Sequence, residues 1–352
     1  MNQPIINVLG RNRPVFVSLG MFLLDELRFP NGHKVVDVPG GSGLYATLGA
    51  RLFKPAPTAA DVGCIVVAGH DLPKSTARLL ESWQMTLLLV RDAEKPCTRG
   101  LLQYEDDAFG RITFTYVTPP LRPSAVQLGT SSLLSAASFH FLAIPEDLET
   151  QVSILLRLRE EQGITERPLI AWEPAPLGCD SVNLENHLKA CALVDVFSPN
   201  RLELRYLVEG KSKTEVEFSP SGIEAQARIF VEAGIGPNGD GLAVIRSGEH
   251  GALILSSKMQ AEWFPTYYGK GASQVVDPTG AGNTFVGAFA VALQETSDPR
   301  EATLRASVAA SYAIEQFGPP KLTEASGSSG ELWNGSEVLS RLQNLKERIP
   351  KA

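Results

Sequence analysis

Short apolar runs alternate with amphipathic segments along most of this chain, and the alternation predicts an α/β fold. The apolar runs are short and bounded by Gly, Pro or polar residues, so we interpret them as buried strands. They lie at residues 15–20, 63–69, 139–143, 168–172, 193–197 and 241–245. Helical patterns lie at 40–52, 74–84, about 148–162 and about 337–348, the last with Ser336 as its N-cap. Strands that alternate with helices form a doubly wound, mostly parallel sheet with helices on both faces.

Two pairs of alternating strands do not fit that order and predict a small antiparallel layer beside the main sheet. In the first pair, residues 26–30 and 33–38 flank Asn31-Gly32, a dipeptide typical of tight hairpins. In the second pair, residues 99–104 and 111–116 flank an acidic turn at 105–110. A Gly/Ser-rich segment at 325–330 predicts a loop before the last helix.

The composition is that of an ordinary globular protein: 43% of the 352 residues are hydrophobic, 20% are charged, and the formal net charge is −7. The sequence has no Lys/Arg block that would indicate binding to nucleic acid or to an anionic membrane. It has no apolar run of the roughly 20 residues that span a bilayer, and no signal-peptide pattern at its N-terminus. The four cysteines lack metal-ligand spacing: Cys64, Cys97, Cys179 and Cys191. We therefore expect a reduced, cytoplasmic protein.

Residues 275–285 are the most informative stretch: a short apolar strand, a glycine-rich turn, and an apolar helix that starts near Thr284. Such a turn leaves backbone N–H groups unpaired at the positive end of the helix, which favours an anion. Gly280, Ala281 and Gly282 would form this anion hole, since glycine lets the backbone approach a ligand closely. The turn therefore predicts a cradle for a phosphoryl group. Asn283 follows it, where a carboxylate would be expected to take a proton from an attacking hydroxyl.

This stretch resembles the C-terminal signature of the ribokinase-like, or PfkB, carbohydrate kinases. That signature ends in Gly-Ala-Gly-Asp, and its Asp is the family's catalytic base; here residues 277–282 match and Asn283 holds the base position. The resemblance implies ATP and Mg²⁺ as cofactors, with Thr279 beside the nucleotide and Asp277 near a monovalent-cation site, such as one for K⁺. An amide is not a base near neutral pH, and general-base catalysis typically contributes about 100- to 10,000-fold. Turnover, if it occurs, is expected to be slow.

The resemblance also implies a β lid over a small-molecule acceptor, formed by about residues 25–38 and 99–116. Asp25 has the family's spacing after the first strand for a carboxylate that holds acceptor hydroxyls. The alternative is a solvated Asp at the start of the lid strand. Arg99 and Glu173 end two predicted strands, where they either contact the acceptor or form ordinary surface ion pairs.

Residues 40–46, Gly-Gly-Ser-Gly-Leu-Tyr-Ala, resemble the family's N-terminal glycine motif. Its glycines, Gly40 and Gly41, would let the backbone approach the acceptor. Tyr45 stands where the motif usually has Asn, and its ring either stacks on the acceptor or blocks it. We therefore expect an acceptor other than plain ribose.

On the nucleotide side, Asn200 and Glu203 follow a predicted strand with an Asn-x-x-Glu spacing, which puts both side chains on one face of a helical turn. In the family this motif orders Mg²⁺ through water, and oxygen ligands suit that ion. The alternative is an ordinary helix start. Ser247, Gly248 and Gly251 resemble the family's nucleotide-side turn and also fit a tight strand–strand turn.

The resemblance covers about residues 15–322, so we interpret 1–322 as one kinase domain and 323–352 as a loop and helix packed on it. The sequence is most similar to a fungal branch of the family, which includes a protein needed to maintain the killer double-stranded RNA virus of yeast. Two functions stay open: ATP-dependent phosphoryl transfer to a hydroxyl of a sugar-like or nucleoside-like molecule, or a pseudokinase that binds nucleotide or acts as a scaffold. Because an exposed lid edge invites pairing, a homodimer through the lid is also expected.

Overall fold

The structure is a computed structural model, and it describes residues 5–7, 13–105, 112–129, 131–211, 217–324 and 330–349. Most of the predicted acidic turn, the first residue of the strand after it, and residues 325–329 of the predicted loop lie outside these ranges. Within them, no helix is both long enough and apolar enough to cross a membrane.

The strands and helices of the described residues follow one another along the chain much as the apolar pattern predicts. The strands are β1 (Ile5–Asn7), β2 (Phe16–Ser18), β3 (Leu23–Arg28), β4 (Lys34–Gly40), β5 (Val62–Ala68), β6 (Thr86–Arg91), β7 (Arg99–Tyr104), β8 (Ile112–Tyr116), β9 (Ser138–Ala143), β10 (Leu169–Pro174), β11 (Val196–Phe197), β12 (Leu242–Arg246), β13 (Ala252–Leu255), β14 (Glu262–Phe264), β15 (Leu322–Glu324) and β16 (Glu331–Trp333). The helices are α1 (Ser42–Leu52), α2 (Lys74–Ser82), α3 (Pro145–Glu161), α4 (Leu184–Cys191), α5 (Arg201–Glu209), α6 (Pro220–Ala233), α7 (Ala281–Thr296), α8 (Pro299–Ala313) and α9 (Val338–Arg348).

The main sheet has the strand order β1-β6-β5-β2-β9-β10-β11-β12-β13-β14. Neighbours from β6 to β12 run parallel, whereas β1, β13 and β14 pair antiparallel at the two edges. Successive residues of β5 point to opposite faces, so Cys64 and Val66 belong to one apolar cluster and Ile65 to the other. Helices α1, α7, α8 and α9 cover the first face, and α3 to α6 cover the second. The predicted doubly wound α/β fold is confirmed.

The predicted lid is a separate sheet with the order β4-β3-β7-β8. Each hairpin is antiparallel as expected, but β3 and β7 join the two hairpins as a parallel pair. Leu27, Leu102 and Tyr104 form a small apolar cluster on this sheet, and Phe29 stacks on the Tyr104 ring with 5.0 Å between ring centroids. The lid therefore has a core of its own.

Several predicted boundaries are wrong. Gly40 ends β4 instead of starting a helix, because α1 begins only after Gly41 has taken a φ of 96°. Helix α3 begins earlier than predicted, at Pro145, since proline fits the first turn of a helix. Leu193 lies outside β11, which is confined to two residues.

Strand β6 has no counterpart among the predicted strands. The chain turns into it at Gln84, whose φ is 57°, so no Gly or Pro marks the break after α2. The predicted cap of α9 is also wrong, since Glu337 holds the N-cap position. Ser336 instead accepts a hydrogen bond from Arg341 Nε at 2.8 Å.

The C-terminal segment packs on the core shared by α1, α7 and α8. Arg51 of α1 is fully buried and pairs with Glu331 of β16, with 2.7 Å between Nη2 and Oε1. Trp333 and Leu345 are buried in the same apolar cluster. Because a buried Arg is costly without its partner, this ion pair fastens the segment to α1.

Candidate active site

The glycine-rich turn leads from Asp277 into α7, which begins at Ala281 rather than near Thr284. The predicted strand before the turn is wrong, since Val275 and Val276 lie in irregular backbone. Asp277 Oδ1 accepts a hydrogen bond from Thr279 N at 3.0 Å, and Gly280 takes a left-handed φ of 79°. The N–H groups of Gly282 and Asn283 have no acceptor among the described residues, as expected of a first helical turn. These donors and the positive end of the helix together stabilise negative charge at one place. We call residues 277–283 the anion turn.

The ring of Tyr45 packs on the anion turn. A Cβ at Gly280 would lie 2.4 Å from the ring, so only glycine fits at this position. Tyr45 lies on α1 and is 3% exposed. Its ring therefore occupies space beside the turn, which leaves less room for an acceptor there.

Asp25 is a buried carboxylate of the lid, not a solvated one. It is 5% exposed, and its Oδ1 has no hydrogen-bond partner among the described residues. Gly40 and Gly100 lie against the two carboxylate oxygens, and a Cβ at either position would approach them to 2.4 Å. Burial and the nearby Asp277 carboxylate raise the pKa of Asp25 to about 7. The side chain is therefore available to bind a hydroxyl donor.

Tyr104 connects the lid to the anion turn. Its hydroxyl donates to Asp277 Oδ2 at 3.0 Å across the space between β7 and the turn. Asp277 is 2% exposed, so this hydrogen bond lies in the interior. The lid is thus held over the turn at the side where Asp25 also lies.

Asn283 donates its side-chain amide to a buried carboxylate, with 2.8 Å between Nδ2 and Glu173 Oε1. The same oxygen lies 2.8 Å from His140 Nε2, and His140 Nδ1 lies 2.8 Å from Ser18 Oγ. Burial opposes ionisation of Glu173, yet Arg246 and the hydrogen bond from His140 outweigh it and keep the pKa of Glu173 below its usual value. Glu173 is 1% exposed, so the surface-pair alternative is wrong for this residue.

Arg246, the last residue of β12, joins Glu173 to the Asn-x-x-Glu motif. Its Nη1 lies 2.9 Å from Glu173 Oε2, and its Nη2 lies 3.4 Å from Glu203 Oε2. Asn200 and Glu203 form a capping box at the start of α5, in which each side chain accepts from the other residue's N–H at 2.9 and 2.7 Å. Burial raises the pKa of Glu203 to about 7, although Arg246 lowers it. The helix-start interpretation of the motif therefore holds, and Glu203 Oε1 takes no part in the box.

Arg99 does not join this cluster. It pairs with Asp37 of the lid and with Asp71, whose Oδ2 lies 3.0 Å from Nη2, and its side chain is 30% exposed. Its neighbour Gly100, and not Arg99 itself, lies against Asp25. The structure thus places Arg99 in surface ion pairs at the start of β7.

Ser247, Gly248 and Gly251 form the tight turn between the antiparallel strands β12 and β13. Ser247 is 1% exposed, and its Oγ lacks a hydrogen-bond partner in the described part of the chain. Among the described residues, there is no cluster of three or more His, Cys, Asp or Glu side chains that could hold a metal ion.

Comparison with known proteins places the fold in a family. The family model described as pfkB family carbohydrate kinase matches residues 28–324. This chain belongs to the PfkB family. The resemblance inferred from the anion turn is confirmed.

Two fungal proteins are similar to this PfkB chain over nearly its whole length. An uncharacterized protein of Schizosaccharomyces pombe is 32% identical, and the match covers 94% of this chain and 92% of that protein. Protein MAK32 of Saccharomyces cerevisiae is 28% identical over the same shares. A solved structure, a putative ribokinase II from E. coli in complex with ATP and Mg²⁺, has a TM-score of 0.66 at 17% identity and covers 96% of this chain and 100% of its own. At that identity, the structural likeness shows the fold alone.

Two residues of this PfkB site, His140 and Arg246, are missing from the candidates that the sequence provides. His140 is a basic residue inside an apolar strand, between Phe139 and Phe141. Arg246 is a basic residue at the end of another apolar strand, after Ile245. A buried basic residue needs an acidic partner, so this placement is the signal that would have found them.

Proposed function

We propose that this protein transfers the terminal phosphoryl group of ATP to a hydroxyl of a sugar-like or nucleoside-like small molecule. The observation that carries the proposal is that the Asp25 carboxylate of the lid lies near Asp277 of the anion turn. A buried carboxylate oxygen without a donor suits an acceptor hydroxyl. Free N–H groups at a helix start suit the phosphoryl oxygens.

ATP and Mg²⁺ fit the residues on the nucleotide side. The free N–H groups of the anion turn would hold the terminal phosphate, while Thr279 and the turn with the unpartnered Ser247 hydroxyl would contact the nucleotide. Asn200 and Glu203 would order Mg²⁺ through water, since Glu203 Oε1 lies outside the capping box. When bound, the metal neutralises phosphate charge during transfer. The putative ribokinase II structure contains ATP and Mg²⁺, which supports these two ligands here. We also propose K⁺ near the Asp277 carboxylate.

Asn283 would orient the acceptor hydroxyl rather than deprotonate it. Because its Nδ2 donates to Glu173, its Oδ1 is left to accept a hydrogen bond from the acceptor. Phosphoryl transfer depends largely on positioning and electrostatics, so turnover survives without a base. It is expected to be slower by about 100- to 10,000-fold than with a carboxylate.

A second candidate function is a pseudokinase that binds nucleotide or serves as a scaffold. Two observations favour it: the base position holds an amide bonded to Glu173, and the Tyr45 ring occupies space beside the anion turn. Such a protein would keep the phosphate site and lack acceptor binding. A cytoplasmic location, the absence of nucleic-acid and membrane partners, and 1–322 as the kinase unit stay predictions from the sequence.

Calorimetric titration of the full chain separates the two functions. We expect ATP to bind in an Mg²⁺-dependent manner, and one compound of a sugar and nucleoside panel to bind more tightly to the ATP-loaded protein. ATP binding with no acceptor in the panel and no phosphotransfer would favour the pseudokinase. A protein that binds no nucleotide would contradict the kinase proposal.

The homodimer predicted through the lid has a direct test. Val36 on edge strand β4 is 53% exposed, and Val117 beside edge strand β8 is 60% exposed. If copies pair through this sheet, V36D or V117D should shift the protein from dimer to monomer in sedimentation velocity, because a charge would be buried in the interface. L339D, at a 69% exposed position on α9, is the matched control and should leave the dimer intact. A wild-type protein that sediments as a monomer would reject the dimer.

A further inference from the structure

The guanidinium of Arg246 lies against the anion turn and has N–H donors without an acceptor. Its Nη1 is so close to Gly282 that a Cβ there would lie 2.1 Å away. Its Nε is buried without a hydrogen-bond partner in the described residues. Its Nη2 donates to the carbonyl oxygen of Ser198 at 2.8 Å. An arginine has five N–H donors, and the contacts with Glu173, Ser198 and Glu203 leave two of them unused, one on Nε and one on Nη1.

Two carboxylates and one carbonyl oxygen hold Arg246 in place. Glu173 Oε2 lies 2.9 Å from Nη1, and Glu203 Oε2 lies farther away, 3.4 Å from Nη2. Arg246 therefore makes one close ion pair and one longer one. Its side chain is 13% exposed, and both of its Nη atoms make ion pairs. The side chain is therefore already ordered, and a ligand would bind it at a low cost in conformational entropy.

Building on the phosphotransferase proposed above, we propose that Arg246 binds the terminal phosphoryl group of ATP together with the N–H groups of Gly282 and Asn283. A planar guanidinium donates to two phosphate oxygens at once, which a single N–H group does not. Glu173 and Glu203 are positioning residues that aim the guanidinium at the turn. ADP lacks the terminal group, so Arg246 discriminates ATP from ADP.

Calorimetric titrations with ATP and with ADP test this role without relying on turnover. We expect R246Q to weaken ATP binding by about 10- to 100-fold, as for a lost hydrogen bond to a charged group, and to change ADP binding little. R246K keeps the positive charge but not the planar pair of N–H donors. Its ATP affinity should lie between those of the wild type and R246Q. R167Q is the matched control, because Arg167 pairs with Asp195 just before β10 begins, away from Glu173 near its end. It should bind both nucleotides as the wild type does.

Two further variants cover the case in which R246Q folds poorly. E173Q removes the ion pair that aims Arg246 at the turn, so it should weaken ATP binding more than ADP binding, by less than R246Q does. E173Q/R246Q leaves no unpaired charge at this pair and should bind ATP as weakly as R246Q does. Thermal unfolding of each variant verifies that the folded protein is titrated.

The outcomes separate this role from the proposed function. ATP affinity that is unchanged in R246Q or E173Q/R246Q, or an equal loss of ATP and ADP affinity, would overturn the role of Arg246 and leave the kinase proposal standing. A wild-type protein that binds neither nucleotide would overturn both. A loss confined to ATP would support both.

Discussion

N283D is expected to destabilise the protein by about 2–4 kcal/mol at pH 8 and not to restore a catalytic base, because it places a second carboxylate against the buried Glu173 carboxylate. The new carboxylate would stand where Asn283 Nδ2 now donates, 2.8 Å from Glu173 Oε1. Two carboxylates at that distance cannot both stay ionised in the interior, so the pKa of the pair is raised. The folded variant then binds a proton that the unfolded chain releases, and its stability rises as the pH falls.

The charge-exchanged variant E173Q/N283D is expected to recover most of that stability. The amide introduced at position 173 would donate to the carboxylate introduced at position 283 and accept from Arg246. His140 would accept at Nε2 once its proton has moved to Nδ1, where Ser18 Oγ accepts it. This variant, rather than N283D alone, provides a carboxylate at the base position and is the fair test of whether a missing base limits turnover.

Urea unfolding of the wild type, N283D and E173Q/N283D at pH 5.5 and pH 8 measures these differences. N186D is the matched control, because Asn186 Nδ2 also donates to a glutamate, Glu146 Oε1, at 3.2 Å, but on the exposed surface. It should change the free energy of unfolding by less than about 1 kcal/mol. N283D with wild-type stability at pH 8 would show that Asn283 and Glu173 are not coupled as the structure has them.

D25N is expected to stabilise the protein by about 2–4 kcal/mol at pH 8 and to abolish most acceptor binding. Asp25 has a pKa of about 7 in the folded state against an ordinary value of 3.8. Because this pKa is raised, the folded state holds the proton more tightly than the unfolded chain. The wild type therefore loses stability as the pH rises from about 4 to about 7, and the amide variant does not.

Thermal and urea unfolding between pH 4 and pH 8 test the effect, with the stabilities of D25N and the wild type converging at pH 4. D37N is the control on the same lid, since Asp37 is 43% exposed at its side chain and paired with Arg99. Its effect should be small and of the opposite sign. A wild type whose stability is flat over this range would mean that Asp25 is not the buried carboxylate with a raised pKa described above. Loss of acceptor binding without a gain in stability would separate the two roles of the residue.

Much of the fold followed from the sequence because its signals are local. Strands such as β5 and β9 are short apolar runs, and Asn31-Gly32 marks a hairpin wherever it stands between alternating strands. The anion turn could be predicted because its glycines and the apolar helix after it lie in one continuous stretch of sequence. Strand β6 and the cap of α9 escaped prediction because their boundaries depend on Gln84 and Glu337, residues that do not mark such positions by type.

The sequence by itself determined the α/β layers, the lid hairpins and the glycine-rich turn before α7, since these depend on residues close together in the chain. Only the tertiary structure decided which side chains meet at the site. Asn283 meets Glu173, Arg246 meets Glu173 and Glu203, and Asp25 lies near Asp277 of the turn. These residues are separated by many strands and helices, and their contacts depend on the order in which the parallel strands assemble. Whether a polar residue is a surface ion or a buried ligand depends on that order, because burial sets its charge and its free hydrogen-bonding groups.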